Sequence, residues 1–234
     1  MRSIAIIPAR SGSKGLKDKN IKHLCGKPLL AYTIECAIES CRFDKVFVST
    51  DSQEYARIAE EYGADASFLR SENNSGDSAG SWDVVKEVIN HFEEKNEFYD
   101  TIMLLQPTSP LRTKEDIINS FRMMAEKQGR SVLSVTEVEH SPLWCNVLED
   151  DLCMDRFMDE KYIGVPRQEL PQYYRLNGAI YLLKREELNE AKMFRKKSYA
   201  YIMPNSRSID IDSELDFRFA ELLIESEKRK MTRY

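Results

Sequence analysis

The residues best suited to chemistry are cations set among small residues near the start of the chain. The segment Pro8-Ala9-Arg10-Ser11-Gly12-Ser13-Lys14-Gly15 ends the apolar run Ile4–Ile7 and is followed by Lys17, Lys19 and Asn20. Gly12 and Gly15 let backbone N–H groups come close to an anion, while Arg10, Lys14 and Lys19 bring positive charge. The loop reads as a phosphate cradle, the competing assignment being a basic surface loop. It is not a P-loop, because no Gly-Lys-Ser/Thr closes it, and the Gly-x-Gly-x-x-Gly dinucleotide turn is absent. By itself the segment says phosphate without naming the molecule.

Asp210-Ile211-Asp212 is the second signal. In an extended strand, residues i and i+2 face the same side, so the two carboxylates point together. Side by side they repel unless a cation intervenes, and Mg²⁺ commonly takes one or two carboxylates plus water and substrate phosphates. The alternative is that Asp212 helps to cap the following helix while Asp210 is solvated. A third segment, Gln106-Pro107-Thr108-Ser109-Pro110-Leu111-Arg112, leaves an apolar run as a turn stiffened by two prolines and displays an amide and two hydroxyls. A fourth places Arg167 and Arg175 on either side of a stretch rich in Pro and Tyr that enters Asn177-Gly178-Ala179-Ile180-Tyr181. Arginine forks suit carboxylates and phosphates, with surface ion pairing as the alternative. Arg70 and Asp77-Ser78-Ala79-Gly80-Ser81 form a fifth segment, where small residues would admit a flat base, unless Ser81 serves only as a helix N-cap.

The elements that must position these residues follow from periodicity. Apolar runs predict strands at Ile4–Ile7, Val46–Ser49, Thr101–Leu105, Ser131–Val135, Ala179–Leu183 and Tyr199–Met203. Helical spacing is carried by Leu30, Ile34, Ala37 and Ile38, then by Tyr55, Ile58, Ala59 and Tyr62. It recurs in Trp82, Val85, Val88, Ile89 and Phe92, and in Ile117, Phe121, Met124 and Ala125. A last helix is expected behind Ser213 as N-cap, with Leu215, Phe219, Leu222 and Leu223 as its apolar face. The alternation predicts an α/β chain with a mostly parallel sheet covered by helices on both faces. Loops at the carboxyl ends of such strands are where these sheets bind ligands. Glu139–Tyr174 breaks the pattern and reads as a lid or as an arm that packs on something else.

Composition sets the bounds. The 234 residues suffice for one substantial domain, and the net charge of −5 argues against a general nucleic-acid binder. No apolar stretch approaches the roughly 20 residues of a membrane span. The N-terminus enters a strand directly, without the features of a signal peptide, so the cytoplasm is the expected location. Five scattered cysteines and three separated histidines do not make a zinc site, and reduced thiols are expected.

Together these segments resemble the acylneuraminate cytidylyltransferase family, the enzymes that activate sialic acids and related nine-carbon keto sugars. The resemblance covers nearly the whole chain. It rests on Pro8-Ala9-Arg10-x-Gly-Ser-Lys-Gly15, Lys19-Asn20, Val48-Ser49-Thr50-Asp51, Gln106 to Arg112, Pro166-Arg-Gln, Arg175-x-Asn-Gly-Ala-Ile-Tyr181 and Ser208 to Asp212. It implies a three-layer Rossmann-like nucleotidyltransferase fold over residues 1–234, with residues 139–175 as an inserted segment that protrudes, covers substrate and makes a homodimer. The implied reaction joins CTP to a free nonulosonic acid, giving the CMP-sugar and pyrophosphate, with Mg²⁺ held by Asp210 and Asp212. The implied nucleotide contacts are Ala9, Arg10, Ser13, Lys14, Asn20 and Asp77, with Arg70, Ala79 and Ser81 framing the cytosine. The sugar would meet Gln106, Thr108, Ser109, Asn177 and Tyr181, with Arg167 and Arg175 toward its carboxylate or the departing phosphates. Arg10 and Lys19 would stabilise the leaving pyrophosphate, and Asp212 is a candidate proton acceptor. No nucleic acid or membrane partner is implied.

One departure stands out. Where sialic-acid members carry a basic residue just after His-Pro-Leu, this chain reads His140-Ser141-Pro142-Leu143-Trp144. An aromatic in place of a cation points to a legionaminic- or pseudaminic-type sugar as the alternative substrate. The rival classes are an enzyme activating an eight-carbon keto acid or a sugar 1-phosphate, and a silent nucleotide-sensing protein.

Overall fold

A computed structural model describes residues 1–12, 15–76, 80–190 and 196–231. The first apolar run is strand β1 (Ser3–Pro8). Its side chains alternate, so Ala5 and Ile7 enter one core and Ile4 and Ile6 another. Burial on both faces explains why the run is continuously apolar instead of alternating with polar residues. A short hairpin, β2 (His23–Leu24) and β3 (Lys27–Pro28), leads into helix α1 (Leu29–Glu39). Then come β4 (Lys45–Ser49), α2 (Gln53–Glu61), a single turn α3 (Glu72–Ser75), α4 (Ser81–Glu94) and β5 (Thr101–Leu104). They are followed by α5 (Lys114–Glu126), β6 (Ser131–Glu137), β7 (Tyr174–Lys184), β8 (Ser198–Ile202) and α6 (Glu214–Met231).

The six-stranded sheet has the order β4-β1-β5-β7-β6-β8. Strands β4 and β5 flank β1 in parallel, β8 is parallel to β6, and β7 runs antiparallel between β5 and β6. The sheet is thus mostly parallel, as periodicity predicts, with one reversed strand that periodicity cannot reveal. Helices α1, α2 and α5 cover one face and α4 the other, making three layers. A third cluster packs α6 against the hairpin through Leu24, Ile211, Phe217, Ala220 and Ile224.

Two expectations are corrected. The buried face of α6 is Phe217, Ala220 and Ile224, while Leu215, Phe219 and Leu222 are exposed. The spacing of the two stripes is equally helical, and only the position of the hairpin selects one. Asp210-Ile211-Asp212 lies outside the sheet, in a segment that is neither strand nor helix. The alternation still holds, because Ile211 is fully buried between the two carboxylates.

From residue 139 to 173 there is neither strand nor α-helix, only 3-10 turns at Pro142–Trp144, Glu160–Tyr162 and Arg167–Glu169. The N–H of Val138 donates to the carbonyl of Tyr173 at 3.0 Å, so the segment leaves and returns at one point on the β6–β7 ladder. It exposes Val147, Leu148, Leu152, Met154 and Ile163. Among the described residues, no helix is long and apolar enough to cross a membrane.

Candidate active site

In the sheet β1 has β4, the next strand of that sheet along the chain, on one side and β5 on the other. A ligand crevice is expected beyond the carboxyl ends of the strands at this switch point. A cleft of about 300 Å³ lies there. The loop after β1 supplies Arg10, Gly15, Lys19 and Asn20, and Arg70 and Ser81 form a second wall. Gln106 and Thr108, after β5, form the third, and Asp212 closes the remaining side. Segments at opposite ends of the chain, from Arg10 to Asp212, therefore meet in one place. The expected contacts Ser13, Lys14, Asp77 and Ala79 lie outside the described residues, and Ala9 is fully buried at the root of the loop.

Each wall is held by a specific device. Asp51, at the end of β4, accepts the N–H and the hydroxyl of Ser11, both at 2.8 Å. Burial alone would raise the Asp51 carboxyl, but the bonds from Ser11 outweigh it and hold the group below the ordinary range. Asn20 is buried and donates to the carbonyl of Arg10 at 3.1 Å, fixing the far end of the loop. Gly15 is obligatory for packing, since a Cβ there would lie 2.6 Å from the Asp212 carbonyl oxygen. Arg70 is buried and donates to the hydroxyl and carbonyl of Ser49 at 3.1 and 2.6 Å. Burial, with Arg10 nearby, brings its guanidinium down to about 10, so it stays charged at neutral pH. Ser81 is the first residue of α4, whose N-cap is Gly80, so Ser81 serves as cleft wall and not as cap.

The loop after β5 depends on Arg112, which is buried and donates to the carbonyls of Gln106 and Ser109 and to the Thr33 hydroxyl at 3.3, 3.2 and 2.9 Å. Ser109 is also buried, and its hydroxyl has no partner. Gln106 lies against Gly178, which has φ +75°, and a Cβ at that position would collide with the Gln106 amide oxygen. Gly178 is therefore needed twice, for its left-handed backbone and for the space Gln106 occupies.

Lys19 reaches across the cleft, donating to Asp212 Oδ1 at 2.8 Å and to the Ile211 carbonyl at 2.9 Å. Asp212 does not cap α6. Ser213 does so, exchanging hydrogen bonds with Asp216. Asp210 is not solvated either: its Oδ1 is buried and has no partner. Burial pushes its carboxyl up, a Thr108 hydrogen bond opposes this, and Asp212 adds to the rise. A buried, unpartnered carboxylate oxygen two residues from a second carboxylate is a donor set that fits a hard divalent cation.

The remaining expectations divide. Arg175 is exposed at the start of β7, close enough for its charge to act on Asp210. Asn177 does not face the cleft. It is buried, accepts from Ser134 at 2.5 Å and donates to Ser208 at 2.9 Å, so its amide ties β7 to β6 and to the segment before Asp210. Tyr181 lines a neighbouring cavity of about 280 Å³ with Trp82, Leu133, Leu183 and Leu188, across the first turn of α4. Burial and Asp210 raise its phenol. Arg167 lies in the arm, in a separate hollow with Glu137 and Tyr173, and half-buried Trp144 does not line the cleft. Within one chain neither reaches the site. Asp51 and Arg112 stood inside recognisable motifs, but local spacing carried no sign that they act by holding backbone.

A sheet of this order with a polar crevice at its switch point is the framework of a nucleotide-handling α/β enzyme. Its backbone is similar to CMP:2-keto-3-deoxy-manno-octonic acid synthetase complexed with CTP, with a TM-score of 0.73 over 97% of this chain and 100% of that one at 17% identity. The family model described as Cytidylyltransferase matches residues 4–227, and the chain belongs to that family. It is 39% identical over 229 residues to the N-acylneuraminate cytidylyltransferase of Escherichia coli O18:K1:H7, covering 97% of this chain and 53% of that protein. It is 36% identical to the CMP-N,N'-diacetyllegionaminic acid synthase of Legionella pneumophila, covering 96% of this chain and 97% of that protein. It is 34% identical to the pseudaminic acid cytidylyltransferase of Campylobacter jejuni, covering 95% and 96%. The chain thus spans about half the length of some curated relatives and nearly all of others.

Proposed function

We propose that this chain transfers the CMP group of CTP to the anomeric hydroxyl of a nonulosonic acid, releasing pyrophosphate. The observation that carries this reading is the meeting of Arg10, Lys19 and Asp212 around one cleft, with the buried, unpartnered oxygen of Asp210 two residues behind Asp212. Together they provide cations for a triphosphate on one wall and a carboxylate pair on the other. Such a transfer depends on positioning and charge neutralisation more than on covalent help from the protein. Arg10 and Lys19 hold the departing pyrophosphate, while Arg70 and Ser81 shape the side of the cleft that receives the base. Gln106 and Thr108 face the sugar, with Arg175 toward its carboxylate. The cavity beside Tyr181 and Trp82 has apolar walls suited to an acylamido substituent. Asp210 and Asp212 would hold Mg²⁺, which when bound neutralises phosphate charge and acidifies the attacking hydroxyl. We assign the uptake of that proton to Asp212, whose side chain is 74% exposed.

The 138–173 arm, with its exposed apolar side chains, supports a homodimer in which Arg167 and Trp144 approach the site of the other copy. Light scattering should then give twice the 27.2 kDa chain mass, and a monomer at micromolar concentration would remove this role. The five free thiols suit a reducing compartment, consistent with the cytoplasm. The central experiment measures pyrophosphate release from CTP with a panel of N-acetylneuraminate, diacetyllegionaminate and pseudaminate. Turnover with at least one is expected, and a preference for GTP or UTP would overturn the assignment.

A further inference from the structure

The segment carrying Asp210 and Asp212 belongs to no strand, yet it must hold two carboxylates in register with the opposite wall. Its downstream end is fixed by Ile211, which is buried and donates its N–H to the Thr108 carbonyl at 2.9 Å. Its upstream end begins in the turn Asn205–Arg207. There the Arg207 guanidinium grips Asp116 with two bonds, Nη2 to Oδ1 at 2.7 Å and Nε to Oδ2 at 3.2 Å. Ser208, the next residue, is held by Asn177.

Asp116 is fully buried and belongs to the other wall. It is the third residue of the α5 capping box, accepting the N–H and hydroxyl of Thr113 at 2.9 and 3.1 Å. That helix starts immediately after the loop bearing Gln106 and Thr108. Tyr201, on β8, donates to the same carboxylate at 3.0 Å. One buried group therefore ends one wall of the cleft and starts the other. A capping carboxylate needs no partner 91 residues away and no burial, so the cap alone does not account for this arrangement.

We propose that the Asp116–Arg207 pair is a positioning pair, which sets the register of the Asp210–Asp212 segment against the Thr108 loop and so tunes its affinity for a divalent cation. This rests on the metal reading above. Neither residue touches the cleft; both act through the backbone they hold.

Arg207 is the residue to change, because its side chain is 37% exposed and the helix cap does not use it. Arg207→Met is expected to raise the half-saturating Mg²⁺ concentration, and the Kd for Mn²⁺ measured by electron paramagnetic resonance without sugar, by about tenfold. The kcat at saturating metal should change less than about threefold, since no reacting group is lost. Arg207→Met also leaves the buried Asp116 without its counter-charge, with only the neutral donors of Thr113 and Tyr201 remaining, so a fall in Tm is expected. The double variant Asp116→Asn/Arg207→Met removes both charges and should recover most of that Tm while keeping the weakened metal binding. Tyr201→Phe, which removes a bond to the same carboxylate from outside the segment, should leave metal affinity unchanged. Metal affinity of Arg207→Met within twofold of wild type overturns the proposal, as does a double variant that regains both Tm and affinity. A wild-type enzyme that turns over fully in excess EDTA overturns the metal reading itself, a result distinct from either.

Discussion

Lys19→Ala is expected to lower kcat by roughly a hundred- to a thousandfold while the KM for CTP rises much less, the usual result of removing one well-aimed donor to developing charge. The Lys19 side chain is 15% exposed and enters the cleft beside Asp212. In the proposed reaction charge on the departing pyrophosphate would grow, so a bond to the ammonium would be stronger in the transition state than in the ground state and kcat would take the loss. In the structure the same ammonium pairs with Asp212 and with the Ile211 carbonyl. Lys19→Arg keeps a charge but replaces a compact donor by a planar fork, and it should recover only part of the rate. Steady-state kinetics with circular dichroism melting separates catalysis from folding. A loss below tenfold in a well-folded alanine variant would remove Lys19 from the chemistry.

Asp210→Asn should move stability and activity in opposite directions. Turnover is expected to fall at least about a hundredfold, on the scale of a lost charge-stabilising contact. The metal-free protein should become more stable. Its wild-type carboxylate, when ionised, is a partly buried charge with one unpartnered oxygen and Asp212 close by, and removing that charge is worth on the order of 1 kcal/mol. For a chain of this size that is about 2–4 °C in Tm. The pH dependence has a definite sign. Because the folded-state carboxyl is raised above its ordinary 3.8, the penalty of ionising it is absent well below that value and complete above the raised one. The advantage of the Asn variant should therefore be full at neutral pH and vanish in acid. Melting curves in EDTA across that range test it, and an Asn variant less stable than wild type at pH 7 would show that Asp210 is not strained.

Much of this architecture is legible along the chain. Runs such as Ile4–Ile7 and Thr101–Leu105 announce buried strands because both faces of their sheet are covered. Turns after β1 and β5 announce the site because Gly, Pro and small polar residues interrupt those runs where a ligand must enter. The direction of β7 was not legible, since a period of two is the same read forward or backward. The buried side of α6 was hidden for a related reason: its two apolar stripes differ only in what lies opposite them. Asn177 looked like a ligand contact because its motif borders the site, yet its amide satisfies Ser134 and Ser208 in the core.

The sequence by itself determined the α/β class, the cluster of cations and small residues around Arg10 and the carboxylate pair at Asp210 and Asp212. Each depends on residues within a few positions of one another, where sterics, turn chemistry and charge act directly. Only the tertiary structure decided that Lys19 meets Asp212 across 193 positions, that Asp51 anchors Ser11 and that Asp116 joins Arg207. Those contacts arise from how the sheet order and helix packing fold distant segments onto one crevice, and no local pattern of side chains encodes which distant partner will arrive.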